Sequence, residues 1–198
     1  MTTLKPIYRN SADQTPPPPQ IDLPLCHIPA GGGVESFWLS QTPITNAQYA
    51  AVISKHTFKA GEENLPVVNV SWDDAQEFCE KATKLLGISM RLPTEFEWCW
   101  AAGREPDKLE RYAVFGQKVI TQVATKMPNE YGLYDMRGLV WEWLDASDSD
   151  KSAKVVRGGS WAGFSVGARA VCRFNYAPGY RNFNVGFRVV VVHGSTSN

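Results

Sequence analysis

The chain has 198 residues, of which 43% are hydrophobic and 20% charged, and its 20 basic and 20 acidic residues give a formal net charge of zero. This length supports one sizeable hydrophobic core, and the neutral balance gives no general attraction to nucleic acid or to an anionic membrane. Apolar runs are far shorter than a membrane span, and the N-terminus lacks the charged-then-apolar pattern of a secretory signal. We therefore expect one domain with no membrane span and no nucleic-acid partner.

The N-terminal segment differs in composition from the rest of the chain. Residues 1–20 contain few apolar groups and end in a proline run, Pro16 to Pro19. Such segments are extended and do not pack into a core. We predict a disordered Pro-rich arm over residues 1–20, a single domain over residues 21–192 and a flexible tail over residues 193–198. The arm is either a tether or the docking site of a carrier protein.

Capping residues and the spacing of apolar residues predict three helices. They start after Thr45, Ser71 and Thr94 and end at Ile53, Gly87 and Gly103, and the second and third are the main helices. Strands are predicted at 34–39 and 185–192, and a further one around 118–123. Residues 104–127 and 145–154 are otherwise weakly patterned, so we expect long surface loops there.

The cysteines and histidines show no ligand spacing. Cys26, Cys79, Cys99 and Cys172 form no C-x-x-C pair, and His27, His56 and His193 are far apart in the chain. We expect buried free thiols in a reducing compartment and no metal site.

The segment between Trp161 and Gly186 contains no Lys, Glu, Gln, Met or Trp, although the rest of the chain contains all five types. By composition alone, this absence has odds of roughly two in a thousand. A codon that ends in a pyrimidine encodes none of the five. From Gly158 to Val192 the chain also lacks Asp and Glu but contains four arginines. These guanidiniums either bind an anion or nucleic acid or hold loops by donating to backbone carbonyls, and we favour the second interpretation.

Five blocks occur in a fixed order along the chain. They are residues 42–49, 66–75, 91–98 (Arg-Leu-Pro-Thr-Glu-Phe-Glu-Trp), 129–143 (ending in Trp-Glu-Trp), and 157–161 (Arg-Gly-Gly-Ser-Trp) together with 186–188. Over roughly residues 30 to 192 they resemble the formylglycine-generating-enzyme, or sulfatase-modifying factor, family. The resemblance implies a C-type-lectin-like α+β domain with two main helices around a small twisted antiparallel sheet and much irregular loop.

Two departures from the family pattern concern its chemistry. The family's oxidases bind copper and the substrate thiol through two cysteines soon after the Gly-Gly-Ser-aromatic block, whereas here the first cysteine after Trp161 is Cys172. A lone thiol cannot form the two-sulfur site that Cu(I) requires. Family members also hold a structural calcium with an Asn where this chain has Leu139, so Glu142 is expected to accept hydrogen bonds from loop amides or an arginine. We predict no cofactor and no metal. The family's iron-dependent relatives need a histidine cluster, which the chain lacks.

Within the family, the chain is similar to the variable proteins of diversity-generating retroelements. There, template adenines are miscopied during reverse transcription, and Asn codons altered at both adenines yield only residues with pyrimidine-ending codons. The resemblance implies a variable region at about 157–188, in which Arg169, Arg173, Pro178 and Arg181 belong to the scaffold. The predicted displayed, ligand-binding residues are Ala162, Gly163, Phe164, Val166, Gly167, Val171, Phe174, Asn175, Tyr176, Gly179, Tyr180, Asn182, Phe183 and Asn184. The tryptophans expected in the core are Trp98, Trp100, Trp141, Trp143 and Trp161.

We predict a non-enzymatic protein that displays a hypervariable surface for binding a macromolecular ligand, with a protein favoured. The alternative is a formylglycine-generating-type copper oxidase, or a degenerate relative, that acts on a cysteine of a sulfatase. A purely structural oligomerising domain is a third interpretation. The expected location is cytoplasmic or phage-associated.

Overall fold

The computed structural model describes residues 2–3, 21–149, 151–168 and 172–192, with only the backbone described for Thr2, Thr3 and Val166. Its strands are β1 (Thr2–Thr3), β2 (Pro24–Ile28), β3 (Phe37–Ser40), β4 (Ser89–Arg91), β5 (Trp141–Ser147), β6 (Lys154–Arg157), β7 (Arg173–Tyr176), β8 (Val185–Phe187) and β9 (Val190–Val192). Its helices are α1 (Asn46–Val52), α2 (Trp72–Leu86) and α3 (Glu95–Ala102), with 3-10 turns at Leu109–Arg111 and Ser165–Ala168. The predicted arm, apart from β1, and the predicted tail lie outside the described residues.

All three predicted helices are confirmed, and local sequence explains their ends. Thr45, Ser71 and Thr94 each accept a hydrogen bond from the backbone N–H three residues on, and the residue at that position bonds back to complete a capping box. Helix α2 ends at Gly87, whose φ of 68° lies in the left-handed region that glycine adopts without strain. These three starts depend on contacts within four residues, which is why the sequence predicted them.

The strands form two sheets, whereas the resemblance implied one. The first has the order β1-β2-β3-β9-β4 and is antiparallel; the second has the order β7-β6-β5-β8, in which β5 and β8 run parallel. Residues 185–192, predicted as a single strand, divide into β8 in the second sheet and β9 in the first. The break falls at Arg188, whose fully buried side chain turns into the interior between the two sheets. The C-terminal segment therefore joins both sheets through a buried cation.

Two other strand predictions differ from the structure. Residues 118–123 form no strand, so that prediction was wrong: this segment has turns and bends, and Val119 is exposed. Strand β3 begins at Phe37 because Val34 pairs back with Gly31 in a tight turn. A strand needs a neighbouring strand to satisfy its backbone groups, and apolar pattern alone does not supply one.

The core consists of two large clusters of buried side chains, one under α1 and α2 and one under α3. Trp98 and Trp143 are fully buried and Trp141 nearly so, as predicted. Trp100 and Trp161 are only half-buried, and the prediction was wrong for them. Trp100 lies over the Gly31–Gly32 turn at the surface, and its Nε1 donates to Pro29 O at 2.9 Å. Among the described residues, no helix is long and apolar enough to cross a membrane.

Candidate ligand-binding face

Three parts of the predicted variable region meet at one side of the second sheet. Phe174 of β7 lies edge-on against Trp141, with ring centroids 5.0 Å apart, and Phe183 packs against Trp161 at 5.6 Å. Asn184 Nδ2 donates to Ser160 Oγ at 3.1 Å, which brings the end of the variable region next to its beginning. We call this surface, formed by residues 162–168 and 174–184, the display face.

No predicted displayed residue whose side chain the structure describes is buried. The rings of Phe164, Phe174 and Phe183 expose 86%, 51% and 52% of their surface. The other exposed members are Ala162, Asn175 and Gly179, and the half-buried ones are Gly163, Gly167, Tyr176, Tyr180, Asn182 and Asn184. The side chain of Val166 and the whole of Val171 lie outside the described residues. The surface location of the described positions is thus a finding, and their role in binding stays a prediction.

The half-buried aromatic residues also support the face from below. Tyr176 stacks on Tyr180 with centroids 4.4 Å apart and meets Trp143 edge-on at 6.3 Å. Asn182 Oδ1 accepts a hydrogen bond from Phe183 N at 2.7 Å. Tyr176 therefore contacts both the scaffold and solvent, as Phe174 and Phe183 also do.

The backbone of the second half of the face is held by bonds that do not involve displayed side chains. Trp72 N donates to Pro178 O at 3.0 Å, and Asn69 N donates to Asn182 O at 2.9 Å. Pro178 is half-buried and was predicted to belong to the scaffold. Main-chain bonds of this kind form whichever side chain the loop residue carries.

Glycine geometry holds the first half of the face. Gly159 has a φ of 81°, and a Cβ on it would lie 2.4 Å from Gly167 O. Only glycine allows this approach and this backbone conformation together. The Gly-Gly-Ser-Trp block thus brings the loop at 162–168 tightly against the chain before it.

The arginines of the region bind acidic side chains that lie outside it. Arg181 forms a two-point pair with Asp74, at 2.7 and 2.8 Å, and Arg173 Nε donates to Glu95 Oε1 at 3.0 Å. The sequence predicted backbone carbonyls as their partners, and two of the arginines also make such bonds: Arg173 donates to Ser147 O at 3.4 Å, and Arg188 donates to Ser40 O at 3.1 Å and to Tyr134 O at 3.0 Å. Arg169 lies outside the described residues. Sequence reasoning missed both acids, although the absence of Asp and Glu from 158 to 192 was a signal that the partners come from elsewhere.

A buried ion pair joins the C-terminal segment to β5 in the interior. Arg188 and Glu142 are both fully buried; Arg188 Nε donates to Glu142 Oε2 at 2.7 Å and Nη2 to Oε1 at 2.8 Å. Trp98 Nε1 also donates to Oε2 at 2.7 Å. This confirms the expectation that Glu142 accepts from an arginine. Buried charges need such complete pairing, because each is costly alone.

The position that holds calcium in the family does not fit that ion here. Leu139 is fully buried in an apolar cluster with Val114 and Val140, and its side chain carries no oxygen. Both oxygens of Glu142 already accept hydrogen bonds. Among the described residues, no three His, Cys, Asp or Glu side chains are grouped as metal ligands would be.

Three of the four thiols are poorly suited to copper binding or to nucleophilic chemistry. All four cysteines lie within the described residues and none forms a disulfide. Burial raises the pKa of Cys26 and of Cys99, and it raises the pKa of Cys79 to about 12. Copper binding and reaction with a substrate thiol both require a protein thiolate. These three cysteines do not supply one near neutral pH.

One buried acid lies where its ionised form is disfavoured. Asp135 is almost fully buried; its Oδ2 accepts from Ala124 N at 2.7 Å, while no hydrogen-bond partner for Oδ1 lies among the described residues. Burial raises the pKa of Asp135 to about 6. No sequence pattern singled out Asp135.

The chain belongs to the sulfatase-modifying factor family: residues 29–192 match the sulfatase-modifying factor enzyme 1-like domain. It is 34% identical to the inactive C-alpha-formylglycine-generating enzyme 2 of Bos taurus, over 62% of this chain and 49% of that protein. It is 26% identical to the formylglycine-generating enzyme of Mus musculus, over 87% of this chain and 55% of that protein. The chain thus spans about half the length of these curated relatives.

The similarity to variable proteins is shown by a solved structure. Treponema denticola variable protein 1 superposes with a TM-score of 0.70 and 26% identity, over 84% of this chain and 90% of that chain. The C-type-lectin-like fold and the similarity to variable proteins, both expected from the sequence, are therefore confirmed.

Proposed function

We propose that this protein is a non-enzymatic ligand-binding protein whose display face recognises a macromolecular ligand, as a variable protein of a diversity-generating retroelement does. The observation that carries the proposal is that the displayed side chains and the groups that hold the backbone beneath them are largely separate. The displayed side chains that the structure describes are exposed or half-buried, while the backbone beneath them is held by main-chain bonds and scaffold residues. Such a surface keeps its shape when its side chains change.

The held backbone limits the entropy that binding costs. Phe174 and Phe183 rest against the scaffold tryptophans Trp141 and Trp161, so each ring is partly immobilised before a ligand arrives. Aromatic rings with two rotatable bonds give large contact areas at low entropic cost, and small polar residues adapt around them. Preorganisation of this kind supports affinity without any new contact.

The chemistry of the face favours a protein ligand. Its exposed members are three phenylalanine rings, small residues and an amide, and the guanidiniums of Arg173 and Arg181 are paired with acids. Exposed aromatic side chains on one surface are typical of a protein-binding site. A carrier protein on the N-terminal arm, and a cytoplasmic or phage-associated location, belong to the same proposal.

A selection experiment tests the binding function directly. The fourteen displayed positions are randomised with the codons that altered Asn codons produce, and the library is displayed and selected against lysozyme. We expect lysozyme binders that differ from the parent only at displayed positions, whereas the parent does not bind. A matched library randomised at exposed residues of α2 should yield none. If only the α2 library yields binders, the proposal is wrong.

The genome around the coding sequence supplies a second test. We expect an adenine-rich near-copy of codons 157–188 next to a reverse transcriptase gene, because that repeat would be the template of diversification. A locus that lacks both the repeat and the reverse transcriptase gene would contradict the retroelement part of the proposal.

The enzymatic alternative makes an opposite prediction. The oxidases use a pair of thiolates. Here burial raises the pKa of Cys26, Cys79 and Cys99, which disfavours the thiolate form of each. We expect no aldehyde on a cysteine-containing sulfatase peptide incubated with the protein, Cu(I) and oxygen, with an active formylglycine-generating enzyme as positive control. Aldehyde formation that is lost in Cys172→Ser would establish the oxidase instead.

A further inference from the structure

The variable region contains cations without anions. No Asp or Glu occurs from Gly158 to Val192, so every carboxylate partner of an arginine there must come from another part of the chain. For Arg173 and Arg181 the structure shows which parts supply it: Glu95 at the start of α3 and Asp74 in the first turn of α2. Both acids lie in segments that precede the variable region by many residues.

Asp74 connects the loop at 177–184 to the start of α2. Its Oδ2 accepts from Ser71 N at 2.8 Å as part of the helix cap and from Arg181 Nε at 2.7 Å, while Oδ1 accepts from Arg181 Nη2. Burial opposes ionisation of Asp74, but the bonds from Arg181 and Ser71 outweigh it and lower the pKa of the carboxyl. The nearby bond from Trp72 N to Pro178 O joins the same two segments.

Glu95 connects β7 to α3 and β6. A single oxygen, Oε1, accepts from Arg173 Nε at 3.0 Å and from Arg157 Nε at 2.8 Å. Arg157 in turn donates to Cys172 O at 3.3 Å, directly before β7. Without the carboxylate, two guanidiniums would lie side by side with no anion between them, and their repulsion would separate the strand from the helix.

We infer that Asp74 and Glu95 are positioning residues of the display face: they hold β7 and the loop at 177–184, which form its second half, to the first turns of α3 and α2, so that binding depends on acids outside the variable region. The inference rests on the proposed function, because it assigns a role in presenting ligand-binding side chains. Two-point arginine–carboxylate pairs fix geometry as well as charge. Exposed pairs contribute little to global stability, so their effect should be local.

Amide hydrogen exchange tests the local effect without any ligand. In Arg181→Met, which breaks the pair and leaves the α2 cap intact, we expect exchange at Asn69 and Trp72 to become about threefold to fivefold faster, since these amides donate to the loop. Glu95→Gln should accelerate exchange in β7 similarly. The control is Glu77→Gln, which removes an exposed pair with Lys81 on the same helix and should leave both segments unchanged. Unchanged exchange in Arg181→Met and Glu95→Gln would overturn the inference.

Binding kinetics separate positioning from ordinary stabilisation. The probe is a lysozyme-binding member of the randomised library, into which Arg181→Met, Glu95→Gln or Glu77→Gln is introduced. A less firmly held face adopts its binding-competent conformation for a smaller fraction of the time. The association rate with lysozyme should therefore fall about threefold to fivefold, while the thermal midpoint stays close to that of the unsubstituted library member. Unchanged association rates would contradict the positioning role. If no library member binds lysozyme, the proposed function fails, while the exchange experiment still decides whether the two acids hold the loops.

Discussion

Two phenylalanines in the last third of the chain should respond in opposite ways to truncation. Phe164 on the display face is 86% exposed, whereas Phe187 in β8 is fully buried and meets the rings of Phe78 and Tyr49 edge-on at 5.3 and 6.1 Å. A phenylalanine side chain offers about 200 Å² of surface. Phe164 therefore has about 30 Å² in contact, which at about 25 cal/mol per Å² limits its contribution to about 0.7 kcal/mol. Complete burial of Phe187 predicts a loss of about 3–5 kcal/mol.

Urea unfolding of Phe164→Ala and Phe187→Ala, followed by tryptophan fluorescence, measures both free energies. We expect Phe164→Ala to change the free energy of unfolding by less than 1 kcal/mol and Phe187→Ala to lower it by about 3–5 kcal/mol. A loss above about 2 kcal/mol in Phe164→Ala would refute the reasoning, because the displayed ring would then be part of the fold.

Three further predictions concern the scaffold. Glu142→Gln leaves the buried Arg188 guanidinium without its anion and should lower the free energy of unfolding by about 3–5 kcal/mol, measured by urea titration; a loss below 1 kcal/mol would contradict the role of this pair. For Asp135 the folded pKa of about 6 exceeds the unfolded value of 3.8, so its stabilising contribution is present below about pH 4 and lost as the pH rises through about 6. Between about pH 4 and pH 6, the free energy of unfolding of the parent should therefore fall by about 2–3 kcal/mol more than that of Asp135→Asn. An equal slope in both proteins would show that another group titrates. Because Leu139 and the occupied oxygens of Glu142 do not suit calcium, the thermal midpoint should be the same in calcium and in EDTA, and a rise of several degrees with calcium would contradict this.

Local signals carried most of what the sequence predicted about the fold. The caps at Thr45, Ser71 and Thr94 act over three residues, so their helices could be placed without knowing the tertiary structure. The strand break at Arg188 could not be predicted in this way, because it depends on Glu142, 46 residues earlier in the chain. The same holds for the absent strand at 118–123, which has no partner strand to pair with.

The candidate site shows the same limit. The codon-like composition of residues 162–185 located the display face, since the predicted displayed residues whose side chains the structure describes are all exposed or half-buried. It did not reveal Asp74 and Glu95, which lie 107 and 78 residues from their arginines. It also could not distinguish fully displayed rings such as Phe164 from supporting ones such as Tyr176, because that difference arises from packing on Trp143.

A crystal structure of a lysozyme-binding library member in complex with lysozyme would show whether a fixed backbone presents the variable side chains to the ligand. We expect lysozyme to contact the displayed side chains around Phe164, Phe174 and Phe183 positions, and the backbone of residues 157–188 to superpose on that of the parent. A ligand seated on another surface, or a rebuilt loop beneath the bound ligand, would contradict the account of a fixed frame that presents variable side chains.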